Sequence, residues 1–222
     1  MWSAIILNYF CGEELKVYYQ EARESLGDMQ GHEIVAVDNG SPLYGPVLYE
    51  ETNYVVCAKN HGFAKGMNIG VAASSGDYVL FMNNDARITS GNWKKELSSI
   101  LDDHTVGCVI PHLKNAGEPD YSAQLVGCVF AMRRDVARKF GPFIEVFERG
   151  YYEDTDLFKR LLDQGLKVVD CPNVKVDHRG QSTFKSSMKD EEILKISARN
   201  KEIYDDLHRG QYPTFSTQTL GG

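Results

Sequence analysis

The sequence predicts an α/β fold: a single domain whose central, mostly parallel sheet is flanked by helices. Two observations carry that prediction. Short apolar, β-favouring runs alternate with stretches whose apolar residues recur every three or four positions, the pattern of βαβ units. In the first half, three of those runs stop at polar clusters, Asn8, Asp38 and Asn83-Asn84-Asp85. Parallel strands bring such ends to one edge of a sheet, where open α/β sheets bind ligands.

Taken in order, Ala4–Leu7 reads as a buried strand, and Leu15, Tyr18, Tyr19, Ala22 and Leu26 mark a helix that stops at Gly27. Glu33–Val37 is a second strand, closed by the turn formers Asp38-Asn39-Gly40-Ser41-Pro42. Tyr54–Ala58 is a third strand, Ala64–Ser74 a short helix, and Tyr78–Met82 a strand after the turn Ser75-Gly76. The second half is less regular. Trp93–Leu101 is helical, Val106–Ile110 is a strand stopped by Pro111, and the polar stretch His112–Ser122 is a loop. Val126–Met132 is a strand, and a short helix runs from Asp135 to near Gly141. Asp154–Gln164 is a helix with Leu157, Phe158, Leu161 and Leu162 inward, stopped by Gly165. Two short strands follow, Lys167–Asp170 and Val174–Val176, then a helix over Met188–Leu207 that turns Ile193, Ile196, Ile203 and Leu207 inward. Residues 1–210 form the domain and 211–222 a loose tail.

With 222 residues, 42% hydrophobic and 25% charged, the chain has an ordinary globular balance and enough length for a substantial core. A net charge of -7 argues against a general nucleic-acid binder. It leaves room for a nucleotide ligand whose phosphates are neutralised by a metal ion. The five cysteines, Cys11, Cys57, Cys108, Cys128 and Cys171, stand singly and read as reduced thiols of a cytoplasmic protein. The first residues do not read as a signal peptide, and no apolar stretch is long enough to span a bilayer, so any membrane contact would be peripheral.

Several residues could carry chemistry, each with a plainer structural reading beside it. Asp85, just past a buried strand, suits a hard divalent ion such as Mg2+ or Mn2+, or an Asx turn. Asp38 could accept a hydrogen bond from a base N–H, or simply hold its turn. The bend Asn60-His-Gly-Phe-Ala-Lys-Gly66 leads into a helix whose N-terminus could face phosphate, with Lys65 as a positive charge or a solvated lysine. Glu153-Asp154-Thr155-Asp156 opens a helix. Its acids could serve capping and the helix dipole, or supply a general base. Tyr151 and Tyr152 suit a sugar-stacking wall. His178 could complete a metal site with Asp85, and Arg179 could reach a phosphate.

Together and in order, these pieces resemble the family 2 glycosyltransferases of GT-A (Rossmann-like) fold, especially the rhamnosyltransferase-like branch. The matching segments are Ile5-Ile-Leu-Asn-Tyr9, Val35-Ala-Val-Asp-Asn-Gly-Ser41, Asn60-x-Gly-Phe-Ala-x-Gly-x-Asn-x-Gly70 and Gly76-Asp-Tyr-x-Leu-Phe-x-Asn-Asn-Asp85. They continue with Gly127-Cys-x-Phe-Ala-Met-Arg-Arg134, Gly141-Pro-Phe143, Tyr152-Glu-Asp-Thr-Asp-Leu157 and His178-Arg-Gly-Gln-Ser182. The resemblance implies an inverting, metal-dependent transfer of a hexose from a UDP- or dTDP-sugar to an acceptor hydroxyl, by single displacement. A role in cell-surface glycan or polysaccharide synthesis follows, with a glycan or lipid-linked acceptor. The location implied is the cytoplasm, or the inner face of a membrane.

It further implies a nucleotide-sugar half (1–105) and an acceptor half (106–210) with a smaller portion of sheet. Asp154 would be the base, supported by Glu153 and Asp156. Asn8, Asp38, Asn39, Asn60, Gly62, Lys65, Asn68, Asn84 and Arg179 would lie toward the donor. Asp85 and His178 would hold Mn2+ or Mg2+, and Gly127, Tyr151 and Tyr152 would lie toward the acceptor. The chain departs from the family pattern in two places. Its metal triplet, Asn83-Asn84-Asp85, has one carboxylate, and Met67 stands where many relatives carry arginine. Two other readings compete: a catalytically decayed nucleotide-sugar-binding protein, and a sugar nucleotidyltransferase, which would want a basic glycine-rich loop that Asn8–Gly12 does not provide.

Overall fold

The computed structural model describes residues 1–42, 53–114, 127–147, 149–180 and 182–211. The element order is β1 (Trp2–Asn8), α1 (Glu14–Ser25), β2 (Glu33–Asp38), β3 (Asn53–Val56), α2 (Phe63–Ala73), β4 (Tyr78–Asn83), β5 (Ala86–Ile88) and α3 (Trp93–Leu101). It continues with β6 (Val106–Lys114), β7 (Val129–Arg133), α4 (Arg134–Phe140), α5 (Glu153–Asp163), β8 (Lys167–His178), α6 (Ser182–Ser187) and α7 (Asp190–His208).

The strands form one sheet in the order β3-β2-β1-β4-β7-β6-β8-β5. The β3-β2-β1-β4 part is parallel, as the βαβ pattern predicts. Beyond β4 the sheet is mixed: β7 is antiparallel to β4 and β6, β8 is parallel to β6, and β5 is antiparallel to β8.

Both faces of the sheet are buried, so its strands read as near-continuous apolar runs. Ala4, Ile6, Ala36, Leu80 and Met82 face one way, against Leu15 and Tyr19 of α1 and Trp93 and Leu97 of α3. Ile5, Val35, Val37, Val79 and Phe81 face the other way, against Met67 and Val71 of α2 and Leu157, Phe158 and Leu161 of α5. Phe81 stacks on Phe130 of β7 at 4.5 Å between ring centroids, and burying each such ring contributes about 1.5–3 kcal/mol. The helix α2 lies unusually close to the sheet. A methyl at Gly66 would meet Leu7, and one at Gly70 would meet Ile5.

Several elements differ from the sequence expectation, and β5 and α6 were not expected at all. Pro111 does not end β6, which runs on to Lys114; a register shift between Pro111 and His112 absorbs the proline. The two strands expected around Pro172 are one, β8, because its partner β6 shifts register at that point. Of the loop expected over His112–Ser122, residues 112–114 belong to β6 and those from 115 onward lie outside those described, as do Val126 and the tail from 212. In α7 the buried positions are Ile193, Asn200 and Tyr204, whereas Leu207 is exposed.

Candidate active site

Strand register assembles the site. Asn8 at the end of β1 lies opposite Asp38 of β2, and Leu7 lies opposite Asn83 of β4. The three polar strand ends thus share one edge. A tight turn, Asn84-Asp85, reverses the chain into β5, whose Ala86 pairs with His178 at the end of β8. That short antiparallel pairing carries His178 across the fold to Asp85. Above the edge opens a cavity of about 560 Å3, lined by Asn8, Asn39, Asn60, Asn83, Asn84, Asp85, Gly127, Tyr151, Tyr152, Glu153, Asp154 and His178, among others.

One wall holds a paired acid and imidazole. His178 Nε2 lies 3.0 Å from Asp85 Oδ1, and Asn83 Nδ2 is 3.5 Å from the same nitrogen. Burial opposes a charge on His178, but Cys128 and the Asp85 carboxylate outweigh it and push its pKa up to about 10. Beside the pair, Asn8 Oδ1, Asn83 Oδ1 and Asn84 Nδ2 are buried without a hydrogen-bond partner among the described residues. Orphaned buried polar atoms are costly, about 1–3 kcal/mol each, and three of them on one cavity wall suit a polar ligand that supplies the missing bonds.

The same wall fits a divalent ion in part. The Asp85 oxygen and His178 nitrogen converge, and the unsatisfied Asn83 oxygen is a hard donor close by. No group of three or more His, Cys, Asp or Glu that could hold a metal exists among the described residues. An ion held here would take its remaining ligands from water and from a bound diphosphate, and it would displace the His178 proton.

The opposite wall is the start of α5. Its N-cap, Tyr152, is left-handed and caps nothing with its side chain, so Asp154 lies inside the first turn and is not the cap residue. Asp154 Oδ2 accepts the Gly127 N–H at 2.8 Å, while Oδ1 accepts the Thr155 N–H at 2.7 Å and the Thr155 hydroxyl at 3.2 Å. No arginine or lysine pairs with it among the described residues. Desolvation raises its pKa, and the bonds from Gly127 and Thr155 partly offset the rise. A side chain at position 127 would collide with this carboxylate, which is why glycine stands there.

Glu153 is 7% exposed, and its Oε2 has no hydrogen-bond partner among the described residues. Burial, then the neighbouring Asp154, push its pKa well above the usual carboxylate range. Asp156 is fully buried outside the cavity lining. It joins Arg160 at 2.8 Å and His208 of α7 at 2.8 Å, and Arg160 also donates to the Phe140 and Pro142 carbonyls.

The remaining expected donor-side residues divide into two groups. Asn39 and Asn60 line the cavity and also fold its rim: Asn39 Nδ2 donates to Asn60 Oδ1 and to the Gly62 carbonyl, and Asn39 Oδ1 accepts the His61 N–H. Gly62 lines it too, at a φ of 81° that glycine takes without strain. Asp38, Lys65, Asn68 and Arg179 are not among the lining residues. Asp38 Oδ1 accepts from the Ser41 N–H and hydroxyl, so it holds its own turn. Lys65 pairs with Glu145 at 3.6 Å, and Asn68 bonds the Phe143 backbone in both directions. Arg179 stacks over Tyr18 at 4.1 Å and bonds Glu21.

Sequence reasoning missed Arg149. It is the one lysine or arginine lining the cavity among the described residues, and its exposed guanidinium meets only Met188 Sδ at 3.1 Å and the exposed Glu192 at 3.7 Å. No motif marks it. It begins a segment in which Arg149, Tyr151 and Tyr152 have φ of 57°, 76° and 70°. A left-handed conformation costs a non-glycine residue on the order of 1–2 kcal/mol, and three within four positions beside a cavity point to a functional constraint.

Comparison with known proteins bears on the fold and the family. No curated protein matches the chain. Among solved structures it is similar in fold to the Pyrobaculum calidifontis mannosyltransferase in complex with GDP-Man and Mn2+, at a TM-score of 0.71 and 15% identity over 96% of this chain and 65% of that one. It is also similar to S. aureus TarS 1-349 in complex with UDP-GlcNAc, at a TM-score of 0.64 and 17% identity over 93% of this chain and 71% of that one. A third is GalNAc-T7 with UDP, GalNAc and Mn2+, at a TM-score of 0.68 and 15% identity over 80% of this chain and only 43% of that one. The fold is therefore the GT-A fold of glycosyltransferases. Residues 3–151, two thirds of the chain, match the family described as Glycosyl transferase family 2, and the chain belongs to that family.

Proposed function

We propose that the chain is an inverting glycosyltransferase that moves a hexose from a UDP- or dTDP-sugar to an acceptor hydroxyl on a glycan or lipid-linked acceptor, in cell-surface glycan or polysaccharide synthesis. The rhamnosyltransferase-like branch is the part of the family its motifs suit best. The observation that carries this reading is the pairing, across one cavity, of Asp85–His178 with Asp154. The first wall offers acid, imidazole and unsatisfied amides to a diphosphate, and the second offers a carboxylate that no cation pairs with among the described residues.

The two acids of α5 divide the work by environment. Glu153, desolvated and without a donor at Oε2 among the described residues, has its pKa pushed well above the usual carboxylate range, so burial favours its neutral form. Asp154, which accepts two backbone N–H bonds, carries the charge. Its raised pKa makes it a stronger base than an ordinary aspartate toward an acceptor hydroxyl. Asp156 supports the pair by anchoring α5 to α7 through His208.

Asn8, Asn83 and Asn84 would bond the nucleotide sugar, with Asn39, Asn60 and Gly62 shaping its rim and Asp38 behind them toward the base. Arg149 takes the phosphate-facing part first assigned to Lys65 and Arg179. Gly127, Tyr151 and Tyr152 face the acceptor. Asp85 and His178 would hold Mn2+ or Mg2+, which when bound would neutralise charge on the departing diphosphate. Residues 1–105 and 106–210 would serve as donor and acceptor halves. A cytoplasmic or inner-membrane-face location is part of the same proposal; no helix among the described residues is long and apolar enough to cross a membrane.

The test is a thermal-shift screen of UDP-, dTDP- and GDP-sugars with and without Mn2+, followed by assay of the best binder for release of the nucleoside diphosphate. A metal-dependent shift with turnover supports the proposal. Binding without turnover over varied acceptors identifies a decayed binding protein. Pyrophosphate release from a sugar phosphate and a nucleoside triphosphate identifies a nucleotidyltransferase.

A further inference from the structure

Every carbonyl of the left-handed segment 149–152 is accounted for. The Arg149 carbonyl accepts the Phe63 N–H at 3.3 Å, and the Tyr152 carbonyl accepts the Asp156 N–H at 2.8 Å within α5. The two between them have one donor group in common: Asn200 Nδ2 gives 2.7 Å to the Gly150 carbonyl and 3.2 Å to the Tyr151 carbonyl.

Asn200 is fully buried in the interior of a 19-residue helix, where burying an amide is costly without such bonds. The same face of α7 carries Tyr204, which packs on Tyr152 at 5.7 Å between ring centroids, and His208, which bonds Asp156. Positions 200, 204 and 208 are spaced to share one helix face. That face therefore grips the backbone immediately before the proposed base and the first turn that carries it. All of α7 lies beyond the residues 3–151 that match the family.

We infer that Asn200 is a positioning residue for the proposed transfer, fixing through the Gly150 and Tyr151 carbonyls the left-handed entry to α5 and hence the aim of Asp154. The inference rests on the glycosyltransferase reading for its kinetics but not for its structural arm. With one amide removed, two carbonyls lose their donor and Arg149, Tyr151 and Tyr152 are free to leave the left-handed region, which isolated residues disfavour. The base then samples many orientations, and the near-attack geometry is rarely occupied.

The experiment compares wild type with Asn200→Asp, which keeps the size but removes the Nδ2 donor, and with Tyr204→Phe, which perturbs the same helix but leaves both carbonyl bonds in place. Should Asn200→Asp fail to fold, Asn200→Ala, which has no side-chain donor, carries the same comparison. Two readouts are taken: kcat with the UDP Kd in Mn2+, and amide hydrogen exchange over Tyr151–Thr155. For the Asn200 variant the expected result is kcat lower by at least about tenfold, a UDP Kd close to wild type, and faster exchange at those amides. Tyr204→Phe keeps both near wild type at comparable loss of Tm. Unchanged exchange in the Asn200 variant overturns the inference whatever the activity. So does faster exchange with undiminished kcat per folded molecule. A wild type that turns over no donor refutes the transferase reading instead, and leaves the exchange arm to decide Asn200's hold on the segment.

Discussion

Alanine at Gly127 tests whether Asp154 must stay where the fold places it. The added methyl carbon would lie 2.5 Å from Asp154 Cβ and 2.6 Å from Oδ2. Position 127 does not have a left-handed φ, so the backbone admits alanine and the collision acts alone. Non-bonded carbons settle at roughly 3.5–4.0 Å, so the carboxylate must retreat by about 1 Å. The 2.8 Å bond from the Gly127 N–H is then strained or lost. A misplacement of about 1 Å can cost on the order of 100-fold in rate, which is about 2.7 kcal/mol of barrier at about 1.36 kcal/mol per factor of ten. The assay is nucleoside diphosphate release at saturating donor and acceptor, with the UDP Kd measured by calorimetry. The expected result is kcat down about 100-fold with the Kd within about threefold of wild type. A kcat within about twofold of wild type would refute the reasoning, because the base would then tolerate a displacement that the cavity geometry forbids.

Three further outcomes follow from the same geometry. Arg149→Ala weakens binding of UDP by roughly 10- to 100-fold, the range for a charge-assisted hydrogen bond, whereas Lys65→Ala, outside the cavity, leaves it near wild type by calorimetry. Glu153 has a folded pKa raised above its ordinary 4.5 by burial. Its contribution to stability is thus fully present below that value and is lost as pH rises toward the folded one. Glu153→Gln should therefore gain Tm over wild type as pH rises above about 4.5, and a gain that shrinks with pH would contradict the assignment. Asp156→Ala removes the fully buried acid that the part-buried Arg160 and His208 share, and breaking such a pair costs about 3–5 kcal/mol in urea unfolding. A loss below about 1 kcal/mol would show the network to be dispensable.

The parallel half of the sheet was legible because buried strands are short apolar runs and their polar ends stand out, as at Asn8 and Asn83–Asp85. The mixed half was not. The strand β5 has three residues, too few for a period, and yet its pairing with β8 is what brings His178 to Asp85. Proline at 111 suggested a strand end that a register shift instead absorbs, and the same shift joins the two short strands expected over Lys167–Asp170 and Val174–Val176. The site's acids were visible as a cluster, but their division was not: burial sends Asp156 to Arg160 and His208, isolates Glu153, and leaves Asp154 facing the cavity. Lys65 and Arg179 looked available because a sequence does not reveal Glu145 or Tyr18 beside them. Asn200 gave no signal, since a polar residue inside a helix reads as solvated until its face is known. The apolar periodicity of α7 itself pointed to Leu207, which is exposed.

The central claim, that one cavity binds a nucleotide-diphospho sugar and that Asp154 is its base, is tested most directly by Asp154→Asn. Donor affinity by calorimetry and turnover are measured on the same folded sample in Mn2+. The expected result is wild-type donor affinity and a melting temperature close to wild type, with transfer reduced at least about 1,000-fold. An Asp154→Asn protein that transfers sugar at the wild-type rate would contradict the claim. So would one that unfolds while Gly127→Ala keeps full activity, since Asp154 would then hold the α5 start together and serve no reaction.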